Sequence, residues 1–385
     1  MGKDLMGTIL AGAQRLLIFL LLIPLVICMT SCGGESLPSF DEDLQLQMQQ
    51  IVEQVMAQDN IPGTIVGVWV PERGEWVTAV GQADIETGRQ ISTDDKVRIA
   101  SNTKTFVATL ILQLVDEGKL GLDDPLEKYI SGVPNAEQIT IRQLLNMTAG
   151  IFSFTEDETF SEEFTADSLM EITPQEELDI ALSYPPDFPP GEGWHYSDTN
   201  YEILGMIAEE VTGNPIEEEV QRRVIEPLGL TSTSFPTLPD MPEGSARGYV
   251  LGDDGQLMDY TRVNPAVPWA GGAMISDLED LKVWAKALAT GELLSEEMHQ
   301  QQLRWVDIPG AERVDGKYGL GIMSLAGFQG HNGAIFGYNS VVLYLPEADA
   351  TIVVLANKST NFSEESMEIF LDIEKLLFPE SFPEN

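Results

Sequence analysis

Cysteine is nearly absent from this chain. There are two, Cys28 and Cys32, and both fall in the first 32 residues. The remainder has no disulfide and no thiolate chemistry. Histidine is scarce too, with only His195, His299 and His331. So few histidines, with no clustered cysteine and no H-E-x-x-H, leave no zinc constellation, and neither metal nor cofactor is expected. G-x-S-x-G is missing, which removes the nucleophile of an α/β-hydrolase triad. P-loop and G-x-G-x-x-G sequences are missing as well. Basic residues number 21 against 62 acidic ones, a net charge of −41. A surface this acidic repels nucleic acid and anionic lipid. The acid is spread along the chain, densest over residues 156–177. Such a distribution suits a saline medium, where screening relieves self-repulsion.

One apolar run stands out, residues 16–29, behind Lys3 and Arg15. It is short for a membrane span and of the right length for a signal-peptide core. It ends at Met29-Thr30-Ser31-Cys32-Gly33. Small residues ahead of a cysteine resemble a bacterial lipoprotein cleavage box. The expectation is export, removal of residues 1–32 as a signal peptide, lipid on Cys32, and a flexible tether over residues 33–43. Two lipid chains hold a protein at a membrane surface without crossing it.

The most informative stretch is Ser101-Asn102-Thr103-Lys104. Apolar residues follow at Phe106, Val107, Leu110, Ile111, Leu114 and Val115, a helical period that Gly118 stops. Ser101 therefore falls at a helix N-terminus, with Lys104 one turn on along the same face. An adjacent amine can take the proton of a serine nucleophile, and the helix end offers N–H groups to a developing oxyanion. Alone, S-x-x-K recurs by chance. Here Tyr196-Ser197-Asp198 precedes a second periodic helix, and His331-Asn332-Gly333 lies on a strand near the C-terminus.

In this order the three motifs resemble those of the serine β-lactamase and D-alanyl-D-alanine carboxypeptidase superfamily, closest to its class C-like, penicillin-binding-protein-related branch. There, tyrosine opens the second motif and histidine can replace lysine in the third. The resemblance spans about residues 45–375 and includes the landmarks LGLDDPLEKYI, ITIRQLLNMTAGI and YGLGI. It implies Ser101 as nucleophile and Lys104 with Tyr196 as proton-transfer groups, the base being either one. His331 either binds a substrate carboxylate or orients Tyr196. The backbone N–H groups of Ser101 and Ala334 form the oxyanion hole, and Asp198, Asn332 and Gly333 join the substrate site. Asp198 stands where asparagine is usual. An aspartate beside Lys104 holds the lysine proton more firmly, which shifts the base role toward Tyr196.

The wider pattern agrees. A helix over residues 41–56 and a hairpin about Glu72-Arg73-Gly74 open the chain. Strands broken by a turn at residues 346–349 and a helix carrying Phe370, Ile373 and Leu377 close it. Ser276-Asp277-Leu278-Glu279 reads as a capping box. The expected fold is α/β (α+β): an antiparallel sheet flanked by terminal helices, with an inserted all-helical lobe. The domain covers residues 44–378, its sheet lobe about residues 44–124 and 266–378 and its helical lobe about residues 125–265. The expected protein is a monomeric serine hydrolase that forms an acyl-enzyme. A DD-carboxypeptidase or D-amino-acid peptidase leads, followed by a carboxylesterase on small acyl esters and a β-lactamase. A catalytically poor muropeptide-binding lipoprotein is the non-enzyme alternative.

Overall fold

The computed structural model describes residues 37–252, 254–360 and 365–379. The leader, Cys32 and residues 33–36 of the expected tether lie outside the described residues. The rest of that tether is packed. Phe40 is buried, the Pro38 carbonyl accepts from the Glu75 N–H at 2.8 Å, and the Asp41 carboxylate caps the first helix at Leu44. Burying one phenylalanine ring is enough to tie such a segment down.

From the N-terminus come α1 (Glu42–Asp59), β1 (Gly63–Val70), β2 (Gly74–Asp84), β3 (Arg89–Gln90), β4 (Val97–Arg98) and α2 (Thr103–Asp116). The middle holds α3 (Ile141–Leu145), α4 (Glu158–Ala166), α5 (Pro174–Leu182), α6 (Asp198–Thr212), α7 (Ile216–Val220) and α8 (Glu226–Leu228). Next are β5 (Tyr249–Leu251), β6 (Leu257–Asp259), α9 (Trp269–Gly272), β7 (Ile275–Ser276), α10 (Leu278–Thr290) and α11 (Glu296–Gln302). The chain closes with β8 (Val306–Asp307), β9 (Lys317–Tyr318), β10 (Met323–Leu325), β11 (Phe328–Ile335), β12 (Tyr338–Leu345), β13 (Ala350–Ala356) and α12 (Glu365–Leu377).

Nine strands form one antiparallel sheet in the order β3-β2-β1-β13-β12-β11-β10-β9-β8. The C-terminal hairpin thus lies beside the N-terminal one, through β1 on β13. β1, β12 and β13 are buried along their whole length because helices cover both faces, so they read as unbroken apolar runs rather than alternations. The terminal helices α1 and α12 cover one face and α10 the other. Trp284 of α10 stacks on Phe106 of α2 at 4.0 Å between ring centroids, and its indole N–H donates to Thr105 at 2.8 Å. That contact fixes α2 beneath the sheet edge where Ser101 sits.

Two expectations change. The intervening lobe is mostly helical but contains the ribbon β5–β6. The helix after Ser276 is capped by Asp277, whose carboxylate accepts from the Asp280 N–H, while the Ser276 hydroxyl turns to Thr233 inside β7. Among the described residues no helix is long and apolar enough to cross a membrane.

Candidate active site

β4 delivers the chain to Ala100, whose φ of +48° lies in the left-handed region that alanine avoids. Such a conformation costs about 1–2 kcal/mol and persists only where its surroundings impose it. Here the clamp is local: Asn102 Nδ2 donates to Ser340 Oγ at 2.9 Å, and Ser340 Oγ donates to the Ile99 carbonyl at 2.8 Å. The turn lifts Ser101 into a 3-10 turn immediately ahead of α2, so the serine precedes the helix proper.

Lys104 is fully buried in the first turn of α2. Its ammonium donates to Ser101 Oγ at 3.2 Å, to Asp198 Oδ1 at 2.6 Å and to the Gly271 carbonyl at 2.8 Å. Those three bonds use all its protons. Burial works against the ammonium, but Asp198, and Tyr196 after it, outweigh burial and lift Lys104 above the ordinary lysine range. Asp198 is held on its other side by Thr155 Oγ1, 3.0 Å from Oδ2, and its N–H donates to Ser153 Oγ at 3.0 Å. The carboxylate is therefore a fixed counter-ion of the lysine.

Tyr196 places its ring centroid 5.0 Å from the Lys104 ammonium. Its hydroxyl is buried and faces Lys104, Asp198 and Ser101. Burial raises the phenol above the ordinary tyrosine range, against the opposing pull of Lys104. The resting centre thus pairs an ammonium with a neutral phenol. Serine deprotonation then requires the two to act as one unit.

His331 stands on β11 with both ring nitrogens engaged. Its Nδ1 lies 2.5 Å from the Asn332 carbonyl and its Nε2 2.9 Å from the Tyr318 hydroxyl. A carbonyl can only accept, so Nδ1 carries the proton and Nε2 accepts from Tyr318. Burial pushes the imidazole down to about 4, so it is neutral near pH 7. With both nitrogens engaged and no charge, it offers nothing to a substrate carboxylate. Its ring lies 6.1 Å from that of Tyr196, and Tyr318 completes a triangle with the two, 6.3 Å from Tyr196 and 5.6 Å from His331.

β10 pairs with β11 only through Phe328–Gly330, so residues 331–335 border the cleft beside the Ser101 turn. Gly333 is needed there. A Cβ on it would stand 2.4 Å from the Ile99 carbonyl oxygen and 2.9 Å from the Ser101 nitrogen. Ser101, Tyr196, Asp198, Asn332, Gly333 and Ala334 all line one cavity of about 610 Å³, and Lys104 lies beneath it. Its walls are mainly apolar, with Phe154, Phe160, Phe164 and Trp194 on the helical side.

The family described as Beta-lactamase matches residues 48–374. The chain belongs to the Beta-lactamase family. Among solved structures, this family member is similar to a D-stereospecific amidohydrolase from Streptomyces sp., with 33% identity and a TM-score of 0.78, covering 87% of this chain and 99% of that one. It is also similar to the D-amino acid amidase of Ochrobactrum anthropi SV3, with 26% identity, a TM-score of 0.77, and 88% and 99% coverage. Protein flp of Staphylococcus aureus (strain N315) is 26% identical over 339 residues, 85% of this chain, which spans 66% of that relative's length.

Sequence reasoning missed four residues of this beta-lactamase-family centre. Tyr318 and Tyr201 back His331 and Lys104, and only the YGLGI landmark pointed to the first. Glu202 and Glu177 are buried acids beside Lys104 and Asp198. The one sequence signal for Glu202 is its place four residues after Asp198, on the same helix face. His195 bonds Asp187 at 2.6 Å and Glu156 at 2.9 Å, and of these three only Glu156 lines the cavity.

Proposed function

We propose that this serine hydrolase cleaves uncharged amides or esters of D-amino acids through an acyl-enzyme on Ser101. The observation that carries the reading is the charge of the cavity. Among the described residues no arginine or lysine lines it, Lys104 spends its protons inward, and His331 is neutral. A terminal carboxylate, as on a cell-wall peptide or a penicillin, meets no cation there. Glu156 lines the same space and favours a free amine. The similar proteins named for D-amino acid amidase and D-stereospecific amidohydrolase activity support this preference over carboxypeptidase action.

In this reading the Tyr196–Lys104 unit first gives one proton to solvent, and Ser101 Oγ then attacks the carbonyl carbon as its own proton passes to that unit. The N–H groups of Ser101 and Ala334 receive the oxyanion. The proton then goes to the departing amine or alkoxide, and water repeats the sequence to release the acid. Kinetics on D-phenylalanine amide and on the same residue inside a peptide with a free terminal carboxylate test the reading. The amide is expected to give kcat/KM about tenfold higher or more, the scale of one unpaired charge contact. Turnover and fluorophosphonate labelling should vanish in Ser101→Ala. Faster cleavage of the carboxylate substrate would overturn the preference, and labelling that survives Ser101→Ala would overturn the nucleophile.

The proposal includes export and lipid attachment at Cys32, supported by the leader pattern alone. Radiolabelled palmitate should enter the protein in a bacterial host and be lost in Cys32→Ser. Unchanged labelling would remove the anchor.

A further inference from the structure

Beside the Ser101–Lys104 pair lies an acid cluster that the reaction above does not use. Glu202, one turn after Asp198 on α6, is fully buried, and its Oε1 accepts from the Gly271 N–H at 3.1 Å. The Gly271 carbonyl in turn takes a Lys104 proton at 2.8 Å. Gly271 is therefore held on both sides, the peptide before it by Glu202 through the N–H and the peptide after it by Lys104 through the carbonyl. Space for a side chain here is tight. A Cβ would stand 3.2 Å from Glu202 Oε1, 3.4 Å from Asp198 Oδ1 and 3.4 Å from Lys104 Nζ.

Behind Glu202 stands Glu177 of α5, which packs on α6 and is also fully buried. No donor reaches either Glu177 oxygen or Glu202 Oε2. Ionised carboxylates are not tolerated in such a place without a cation or donors, and protonation relieves the cost. The groups facing Glu202 are Asp198 on its own helix, Lys104 from α2, Glu177 from α5 and the α9 backbone N–H groups, with Glu176 acting on Glu177. Burial pushes Glu202 up to about 8, with Asp198 adding to it against the Gly271 N–H and Lys104. Burial and then the charge of Glu202 push Glu177 well above the carboxylate range.

We propose that Glu202 is a positioning residue for acylation, kept as a neutral acid by its burial, and that its ionisation slows the centre by placing a second anion beside Lys104. As a neutral acid it holds the Gly271 peptide that orients the lysine. Once ionised it stabilises the ammonium further and opposes a tyrosinate at Tyr196, so Ser101 loses its proton acceptor. The inference rests on the reading of Ser101 as nucleophile.

The test is the pH dependence of kcat/KM on p-nitrophenyl acetate, with fluorophosphonate labelling of Ser101 followed in parallel. Wild type is expected to lose activity on an alkaline limb that Glu202→Gln abolishes, because glutamine keeps the bond to Gly271 and cannot ionise. Glu202→Ala, which loses the bond, should label about tenfold more slowly at neutral pH, the worth of one neutral hydrogen bond. A Glu202→Gln limb that superimposes on wild type overturns the proposal. Infrared difference spectra of the wild-type protein guard against misfolded variants. A protonated carboxyl band that disappears across the limb supports the proposal, and its absence at neutral pH overturns it. Labelling with an unchanged limb sinks the role of Glu202 alone, whereas no labelling at any pH sinks the nucleophile first.

Discussion

Lys104→Met is expected to lower kcat/KM by about a thousandfold, the range of a lost proton-transfer group, equivalent to about 4 kcal/mol of barrier. Methionine matches the length of the buried stem and removes only the ammonium. Three acceptors are then abandoned: Ser101 Oγ, Asp198 Oδ1 and the Gly271 carbonyl. Asp198 keeps Thr155 and the Ser153 hydroxyl but loses its counter-ion. Breaking one side of a buried pair destabilises by about 3 kcal/mol at the low end, which applies here because part of Asp198 borders the cavity. Adding Asp198→Asn to Lys104→Met should restore most of that stability in urea unfolding and none of the activity. Recovery of turnover in the double variant, or an active single variant, would remove Lys104 from the proton path.

Gly333→Ala is the second large effect. The added methyl has no room: the Ile99 carbonyl, the Ser101 nitrogen and Ser340 Oγ stand 2.4, 2.9 and 2.9 Å from its ideal position. These are the atoms that hold Ala100 in its strained conformation, since Ser340 bonds to Ile99 and receives Asn102. β11 and the nucleophile turn must separate, and that moves the Ser101 N–H relative to Ala334. Losing one oxyanion donor costs about a hundredfold to a thousandfold in kcat. A fall of that size in kcat with little change in KM is expected, together with a lower melting temperature. Near-normal kcat in a folded Gly333→Ala protein would exclude these N–H groups as the oxyanion site.

Legibility followed sequence distance. Ser101 and Lys104 were readable because one helical turn fixes their relation, whatever the rest of the chain does. The flanking hairpin and the closing helix were readable from periodicity, since β1 and α12 carry their apolar pattern in the sequence itself. Glu177 and Glu202 were not. A glutamate in an amphipathic helix ordinarily faces water, and only the packing of α5 on α6 under the cavity turns both inward. His331 was legible as a motif residue, but its state depends on Tyr318, thirteen positions away on β9. The region between the sheet segments was read as wholly helical although Asp254-Gly255 marks a turn, and β5 and β6 form on either side of it. The cap at Asp277 shows the same limit on a smaller scale, because two adjacent polar residues compete and tertiary contacts to Thr233 decide.

The inward direction of every Lys104 proton bears on diffusion as well as on chemistry. Among the described residues no lysine or arginine lines the cleft, so an approaching molecule feels Glu156 at its wall before it feels any cation. Sorting of solutes by sign therefore begins at encounter, ahead of any fit to the apolar walls. Dissolved ions shorten the reach of that sorting to about 8 Å at physiological strength, so selectivity among charged substrates narrows as salt rises while selectivity by shape stays constant.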